Sequence, residues 1–207
     1  MATKLFLRNT TDNAIGVFKD MLTVAGAAST TGVVDTVASG TEILWTQTAG
    51  GTVLEWISGR VPAGGFTLAG TMTLSIWAHE SNMAANCMGM TRIFKRTEAG
   101  VESQVSGPYS DGVEFGTAAA EMSWFAPVDS GGTFLENDRI ICRYYIMNLG
   151  TMGGPYTCTL TYNAADATTG DSFFEITENV TFKAEAAPTS FPPIPCLSPS
   201  FLNLLRR

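Results

Sequence analysis

The chain has 207 residues, of which 45% are hydrophobic and only 15% are charged, and its formal net charge is −7. This length and apolar content are typical of one globular domain and exclude a chain that is disordered throughout. An acidic chain whose longest basic run is a pair lacks the positive stripe that nucleic-acid-binding proteins need. No stretch reaches the ~18 apolar residues of a membrane span or the ~7–15 of a secretory signal, so we expect folding in the cytoplasm without a membrane partner.

Alternation of apolar and polar side chains predicts strands along most of the chain, because successive strand residues point to opposite faces. The first predicted strands cover residues 4–8, 42–47 and 52–57. The longest pattern covers residues 65–80, and its apolar face comprises Phe66, Leu68, Met72, Leu74 and Ile76. The opposite face is rich in threonine, which predicts a strand buried on one side only.

The later part of the chain continues the same alternation. Further strands are predicted at residues 88–96, 101–106, 121–125, 139–148, 155–163 and 178–185. In the strand at 139–148, one face is apolar, whereas the face with Arg139 and Ile141 is mixed. That mixed face predicts a partner or an overlying loop. Because turns rich in glycine separate the strands, the pattern indicates an all-β sandwich or barrel.

Helix signals and cysteine signals are both weak. One short helical turn is predicted within residues 14–24 and another at 83–87. The four cysteines form no CxxC pair, and the chain has a single histidine, which argues against a zinc site. A chain of this size folds without a disulfide framework, so we expect reduced thiols. Cys142 and Cys158 are predicted to be small buried hydrophobes.

The composition changes at about residue 186, where alternation stops and prolines dominate. We therefore predict a β-sandwich domain at residues 1–185 and an extended C-terminal arm at 186–207. Proline supplies no backbone donor, so the arm cannot join the middle of a sheet. A short helical turn is predicted to begin at Ser198 and Pro199. The arm carries seven large apolar side chains that we expect to contact another polypeptide: Phe191, Ile194, Leu197, Phe201, Leu202, Leu204 and Leu205.

The energetics of this arm predict that it needs a surface to lie on. Burying its seven apolar side chains is worth on the order of 10 kcal/mol. Ordering the ~18 residues from Ser190 to Arg207 costs roughly 1–2 kcal/mol for each backbone unit, although proline reduces that cost. The arm therefore packs on its own sandwich, lies in a groove of another polypeptide or stays disordered. We favour the groove, because an exposed apolar segment marks an interaction site.

Residues that could carry catalysis are sparse. The single histidine, His79, precedes Glu80, but neighbouring strand residues point to opposite faces and do not form a dyad. Asp129, Glu136 and Asp138 lie close in sequence and are candidate calcium ligands, although their spacing is not that of an EF-hand. The sequence thus predicts a protein that is not an enzyme and has no cofactor or metal.

Three stretches carry a resemblance to a known class: TLSIWAHESNMAAN at 73–86, FLENDRIICRYYI at 134–146, and TYNAADATTGDSFFEITENVTF at 161–182. Together they resemble structural proteins of tailed-phage virions, over roughly residues 1–185. The turn at 135–139 also resembles a jelly-roll corner, in which glycine often occupies the position of Asn137. Asparagine tolerates the same left-handed backbone.

The resemblance implies an antiparallel jelly-roll-like β-sandwich that assembles on the virion. Proteins of this type are capsid decoration (cement) proteins, commonly trimers on the capsid exterior. The implied partners are the major capsid protein or another virion protein, and further copies of this chain in a homotrimer. The alternative is a tail or fibre module that binds host glycans, with Trp45, Trp56, Trp77 and Trp124 as candidate stacking platforms. Trp77 lies on the threonine-rich face of its predicted strand, which favours it among the four.

Overall fold

The computed structural model describes residues 2–12, 15, 18–23, 30–35, 54–110, 112–148, 157–162 and 172–183. These ranges contain a 3-10 turn at Met83–Ala85 and thirteen strands. The strands are β1 (Thr3–Thr11), β2 (Lys19–Leu22), β3 (Thr30–Asp35), β4 (Leu54–Ser58), β5 (Phe66–Thr67), β6 (Met72–Glu80), β7 (Cys87–Arg96), β8 (Glu102–Tyr109), β9 (Ala120–Ala126), β10 (Thr133–Phe134), β11 (Arg139–Asn148), β12 (Cys158–Tyr162) and β13 (Phe173–Ile176). The predicted all-β fold is confirmed.

Eleven of these strands form one large sheet that folds over itself as a sandwich. Hydrogen-bonded neighbours follow the order β3-β12-β6-β13-β1-β2-β4-β11-β7-β8, and β9 pairs with β6. The pairs are antiparallel except for β2 with β4, which is parallel. Strand β6 has three partners. One of its edges pairs with β9, and the other pairs with β12 over one part of its length and with β13 over another. A small second sheet joins β5 to β10.

The core lies between two layers, one built around β6 and the other around β11. Trp56 of β4 and Tyr162 of β12 meet edge to face across it, with ring centroids 5.4 Å apart. Trp56 is fully buried, and its Nε1 donates to the Arg8 carbonyl at 2.9 Å. The predicted inward face of residues 65–80 is confirmed where Leu68, Met72, Leu74 and Ile76 are buried.

The two layers are also joined covalently, which corrects the expectation of reduced thiols. Cys87 of β7 and Cys158 of β12 form a disulfide across 71 residues of sequence. The sequence could not identify this pair, because only the packing of the layers brings the two strands face to face. Cys142 remains free and buried, as predicted, and burial raises the pKa of its thiol to about 12.

Ile15 and Phe18, which lie between β1 and β2, cover part of the mixed face of β11, so the predicted overlying loop is confirmed there. Ile141 packs there against Phe18 and Ile57 in a second small core. Beneath this core, Arg139 Nη1 lies 3.0 Å from Asp12 Oδ2, and both side chains are at most 5% exposed. This buried ion pair fixes the loop to the sheet.

The predicted strand at 65–80 is divided in two, and a glycine gives the physical reason. A Cβ at Gly70 would lie 2.3 Å from the Thr177 Oγ1, so only glycine permits this close approach. The Ala69 amide donates instead to Glu178 Oε1 at 2.8 Å. These contacts separate β5 from β6 while preserving the alternation on either side.

The remaining predictions, which concern short segments of the chain, have mixed outcomes. The helical turn at 83–87 is confirmed by Met83–Ala85, whereas residues 19–22 of the predicted turn within 14–24 form β2. The predicted strand at 178–185 is wrong over its described part, which makes only the isolated bridge between Lys183 and Arg60. Asn137 has a φ of 66°, confirming the left-handed backbone expected at the corner. The domain boundary at 185/186 and the strand at 42–47 lie outside the described residues.

Candidate functional site

The side chains singled out for catalysis lie apart from one another. His79 is half-buried on the outer face of β6, while Glu80 is 1% exposed and points inward. The two side chains point to opposite faces of β6, as alternation predicts. Within the described residues, the Nδ1 of His79 makes no hydrogen bond.

The candidate calcium ligands are occupied by structural hydrogen bonds. Asp129 accepts from Tyr109 Oη at 2.6 Å and from the Gly107 amide at 2.9 Å. Asp138 Oδ2 caps the turn by accepting from the Leu135 amide at 2.9 Å. Within the part of the chain that the structure describes, no group of three or more His, Cys, Asp or Glu side chains is placed to hold a metal ion. Over the same residues, no helix has the length and hydropathy to cross a bilayer.

The two outer faces of the sandwich differ in chemistry. On the β11 layer, Arg143 pairs with Glu55 and, at 2.6 Å, with Glu102. Burial lowers the pKa of Arg143, but the charges and hydrogen bonds of these two carboxylates shift it upward overall. Glu102 also binds Arg96 at 2.7 Å. These four charged groups therefore satisfy one another.

The β6 layer instead presents large apolar side chains on its outer face. Strand register places them there: Phe6 lies opposite both Phe173 and Leu22, and Phe173 lies opposite Ser75. Ser75 in turn lies opposite Ser123, two residues before Phe125 on the same face of β9. We call this set the outer apolar face: Phe6, Leu22, Trp77, Phe125 and Phe173.

The outer apolar face is partly open to solvent and internally packed. Phe125 is 67% exposed and Leu22 is 38% exposed. Phe6 and Phe173 pack edge to face with centroids 6.4 Å apart, and Lys4 Nζ lies 3.8 Å above the Phe173 ring. A row of aromatic side chains from different strands, rather than a single exposed residue, is typical of an interaction surface.

Several polar groups close to Trp77 are already paired. Its amide donates to the Ser172 Oγ at 3.0 Å, and that hydroxyl donates to the Thr161 carbonyl at 2.6 Å. The Ser75 hydroxyl donates to Glu121. With these donors used, the outer apolar face is suited to packing against a surface rather than to moving protons.

The residues predicted to bind a partner or a glycan lie in different parts of the chain and the fold. Trp56 is core, and Trp77 is half-buried on the outer face. Trp45 lies outside the described residues, as do all seven apolar residues predicted to contact a partner: Phe191, Ile194, Leu197, Phe201, Leu202, Leu204 and Leu205. The sequence reading missed Phe125, Phe6 and Phe173 as a group. Alternation could place each on the outer side of its strand, but only strand pairing brings them together.

The fold is shared with parts of larger enzymes. An aminopeptidase from a marine sediment Thaumarchaeota archaeon aligns with a TM-score of 0.57 and 12% identity, covering 87% of this chain and 37% of that chain. An α-amino acid ester hydrolase aligns with a TM-score of 0.56 and 12% identity, and the alignment covers 87% of this chain and 36% of that chain. A CocE/NonD family hydrolase from Staphylococcus aureus aligns with a TM-score of 0.55 and 12% identity, and the alignment covers 87% of this chain and 37% of that chain.

These similarities establish a common fold and nothing more specific at such identities. The chain spans little more than a third of the length of each of these hydrolases. No protein-family model matches the sequence, and no curated protein matches it.

Proposed function

We propose that the protein is a non-enzymatic structural protein of a virion, a capsid decoration protein that docks on the outer capsid and forms a homo-oligomer. The observation that carries the proposal is the outer apolar face, with Phe125 67% exposed on a layer of the sandwich. The resemblance of three segments to tailed-phage virion proteins supports the same assignment. Fold likeness at 12% identity gives no ground for assigning hydrolysis to this chain.

The mechanism of such a protein is mechanical. The sandwich occupies a place where capsid subunits meet, and the arm at 186–207 reaches a groove on a neighbouring polypeptide. The disulfide between Cys87 and Cys158 suits a protein that works on a particle exterior, where disulfides persist. The partner is the major capsid protein or another virion protein.

Removing the arm tests this mechanism. A chain ending at residue 185 is expected to bind particles that lack the protein at least tenfold more weakly, because about 1.4 kcal/mol of contact is tenfold in Kd. Co-sedimentation measures the binding, and light scattering measures the oligomer. Unchanged far-ultraviolet circular dichroism establishes that the sandwich still folds. Unchanged affinity together with an unchanged oligomeric state would contradict the role of the arm.

The surface can be tested separately from the arm. Phe125→Asp, in the full chain, is expected to weaken particle binding, because a carboxylate would be desolvated in an apolar contact. Leu135 is 66% exposed in the turn that follows β10, which is not a strand of the large sheet, so Leu135→Asp is a matched control. Equal weakening by both variants would show that the effect is not specific to the outer apolar face.

A glycan-binding module of a tail or fibre is the second candidate, and the placement of Trp77 favours it. Trp77 is half-buried on an outer face with Glu121 opposite it in register, an arrangement in which a ring and a carboxylate could contact a sugar. Dose-dependent binding on a glycan array, lost in Trp77→Ala and kept in Phe125→Asp, is the result expected of this candidate. Absence of glycan binding by the wild type would remove it.

A further inference from the structure

A buried carboxyl group closes the connection between β6 and β7. Glu80, the last residue of β6, is 1% exposed. Its Oε2 accepts from the Cys87 amide at 2.9 Å, which spans the turn between the two strands. Its Oε1 is buried and makes no hydrogen bond within the described residues. One oxygen therefore holds the turn while the other lacks a donor, a costly arrangement for an ionised group.

A second segment lies against the same residues. The Glu80 amide donates to the Gly116 carbonyl at 3.0 Å, and the Phe115 amide donates to the Cys87 carbonyl at 2.8 Å. Glu114 forms a bridge with Met88, and its carboxyl is within side-chain hydrogen-bonding reach of Glu80. Two carboxyl groups thus converge on Cys87, beside the disulfide that joins the layers.

Within the described residues, no positively charged side chain is bonded to the Glu80 carboxyl or is among the causes that shift its pKa. Opposite Glu80 in register is Cys158, whose sulfur is in the disulfide, and His79 points to the other face. The turn at Met83–Ala85 carries no charged side chain. Glu114 is therefore the titratable group that faces Glu80 among the described residues. The negative charge of a carboxylate beside the buried Glu80 favours the protonated form of Glu80.

We propose that Glu80 and Glu114 form a pH-sensitive latch: a shared proton holds residues 114–116 against the β6–β7 turn, and loss of that proton releases them. Burial raises the pKa of Glu80, the Cys87 amide lowers it and the charge of Glu114 raises it further, with a net upward shift. The folded-state pKa of Glu80 therefore lies above that of a free glutamate. This makes the latch complete below the pKa of a free glutamate and progressively weaker as the pH rises through the folded pKa.

Hydrogen exchange measured by mass spectrometry tests the latch on the full chain between pH 5 and 8. After correction for intrinsic rates, opening in peptides that contain Cys87 and Phe115 is expected to increase about tenfold for each pH unit within the titration range. Glu80→Gln supplies a permanent donor toward Glu114 and is expected to remove this pH dependence. Glu98→Gln changes an exposed carboxylate elsewhere and is expected to leave it intact.

Persistence of the wild-type pH dependence in Glu80→Gln, or no pH dependence in the wild type, would overturn the proposal. If Glu80→Gln does not fold, Glu114→Gln gives the answer, since Glu114 is exposed and its change leaves the core unaltered. That variant is expected to reduce the pH dependence, and an unchanged profile would also overturn the latch. The test is independent of particle binding and of the proposed function.

Discussion

Asp12→Ala is expected to lower the free energy of unfolding by about 3–5 kcal/mol, the cost of removing one partner of a buried ion pair. Arg139 is 5% exposed and Asp12 2% exposed, so water cannot replace the lost carboxylate. The change also removes the acceptor that Asp12 Oδ1 provides to the Ile15 amide at 2.6 Å. Urea denaturation followed by tryptophan fluorescence measures the effect.

An exposed ion pair provides the control for this experiment. Lys183 Nζ lies 2.6 Å from Glu136 Oε1, but these side chains are 36% and 51% exposed. Glu136→Ala is therefore expected to cost at most about 1 kcal/mol. The double change Asp12→Ala with Arg139→Met should be less destabilising than the sum of its parts, because no buried charge is left behind. Equal effects of Asp12→Ala and Glu136→Ala would contradict the importance of burial.

Removal of the disulfide is the second change expected to have a large effect. The double variant Cys87→Ala with Cys158→Ala should lose about 3–4 kcal/mol of stability, since the bond restrains a loop of 71 residues in the unfolded chain. A reducing agent should lower the melting temperature of the wild type and leave that of the double variant unchanged. Thermal unfolding with and without dithiothreitol makes the comparison.

The free cysteine separates the loss of the bond from the loss of buried sulfur. Cys142 is buried and its Sγ lies 3.7 Å from Thr91 Oγ1, so Cys142→Ala removes similar contacts without breaking a cross-link. It should retain the response to reducing agent. Peptide mapping after alkylation in denaturant should find Cys87 and Cys158 unlabelled until they are reduced. Labelling of both without reduction would contradict the disulfide.

Local alternation predicted the faces of strands well, because a side chain's direction depends only on its position in an extended backbone. The inward residues of β6 and the buried Cys142 and Leu160 follow from it directly. It was less successful where a strand is short or is interrupted by a tertiary contact. β13 was missed, and β5 was joined to β6 because the contact of Gly70 with Thr177 involves residues distant in sequence.

The candidate interaction surfaces were likewise predicted in part from the sequence and in part only from the structure. The sequence alone placed Trp77 on an outer face and indicated an apolar arm at 186–207, since both depend on composition and alternation. It could not show that Phe6, Phe125 and Phe173 share a surface, because the order of strands in a sheet is not encoded in the pattern of any one strand.

By itself, the sequence determined that this protein is built of strands that bury one apolar face. Only the tertiary structure decided which strands are neighbours, and therefore that Cys87 meets Cys158, that Glu114 reaches Glu80 and that Asp12 is buried with Arg139. The physical reason is the distance along the sequence over which each effect acts. Alternation is set by the backbone over a few residues, whereas these pairs form only when packing of the two layers brings distant segments together.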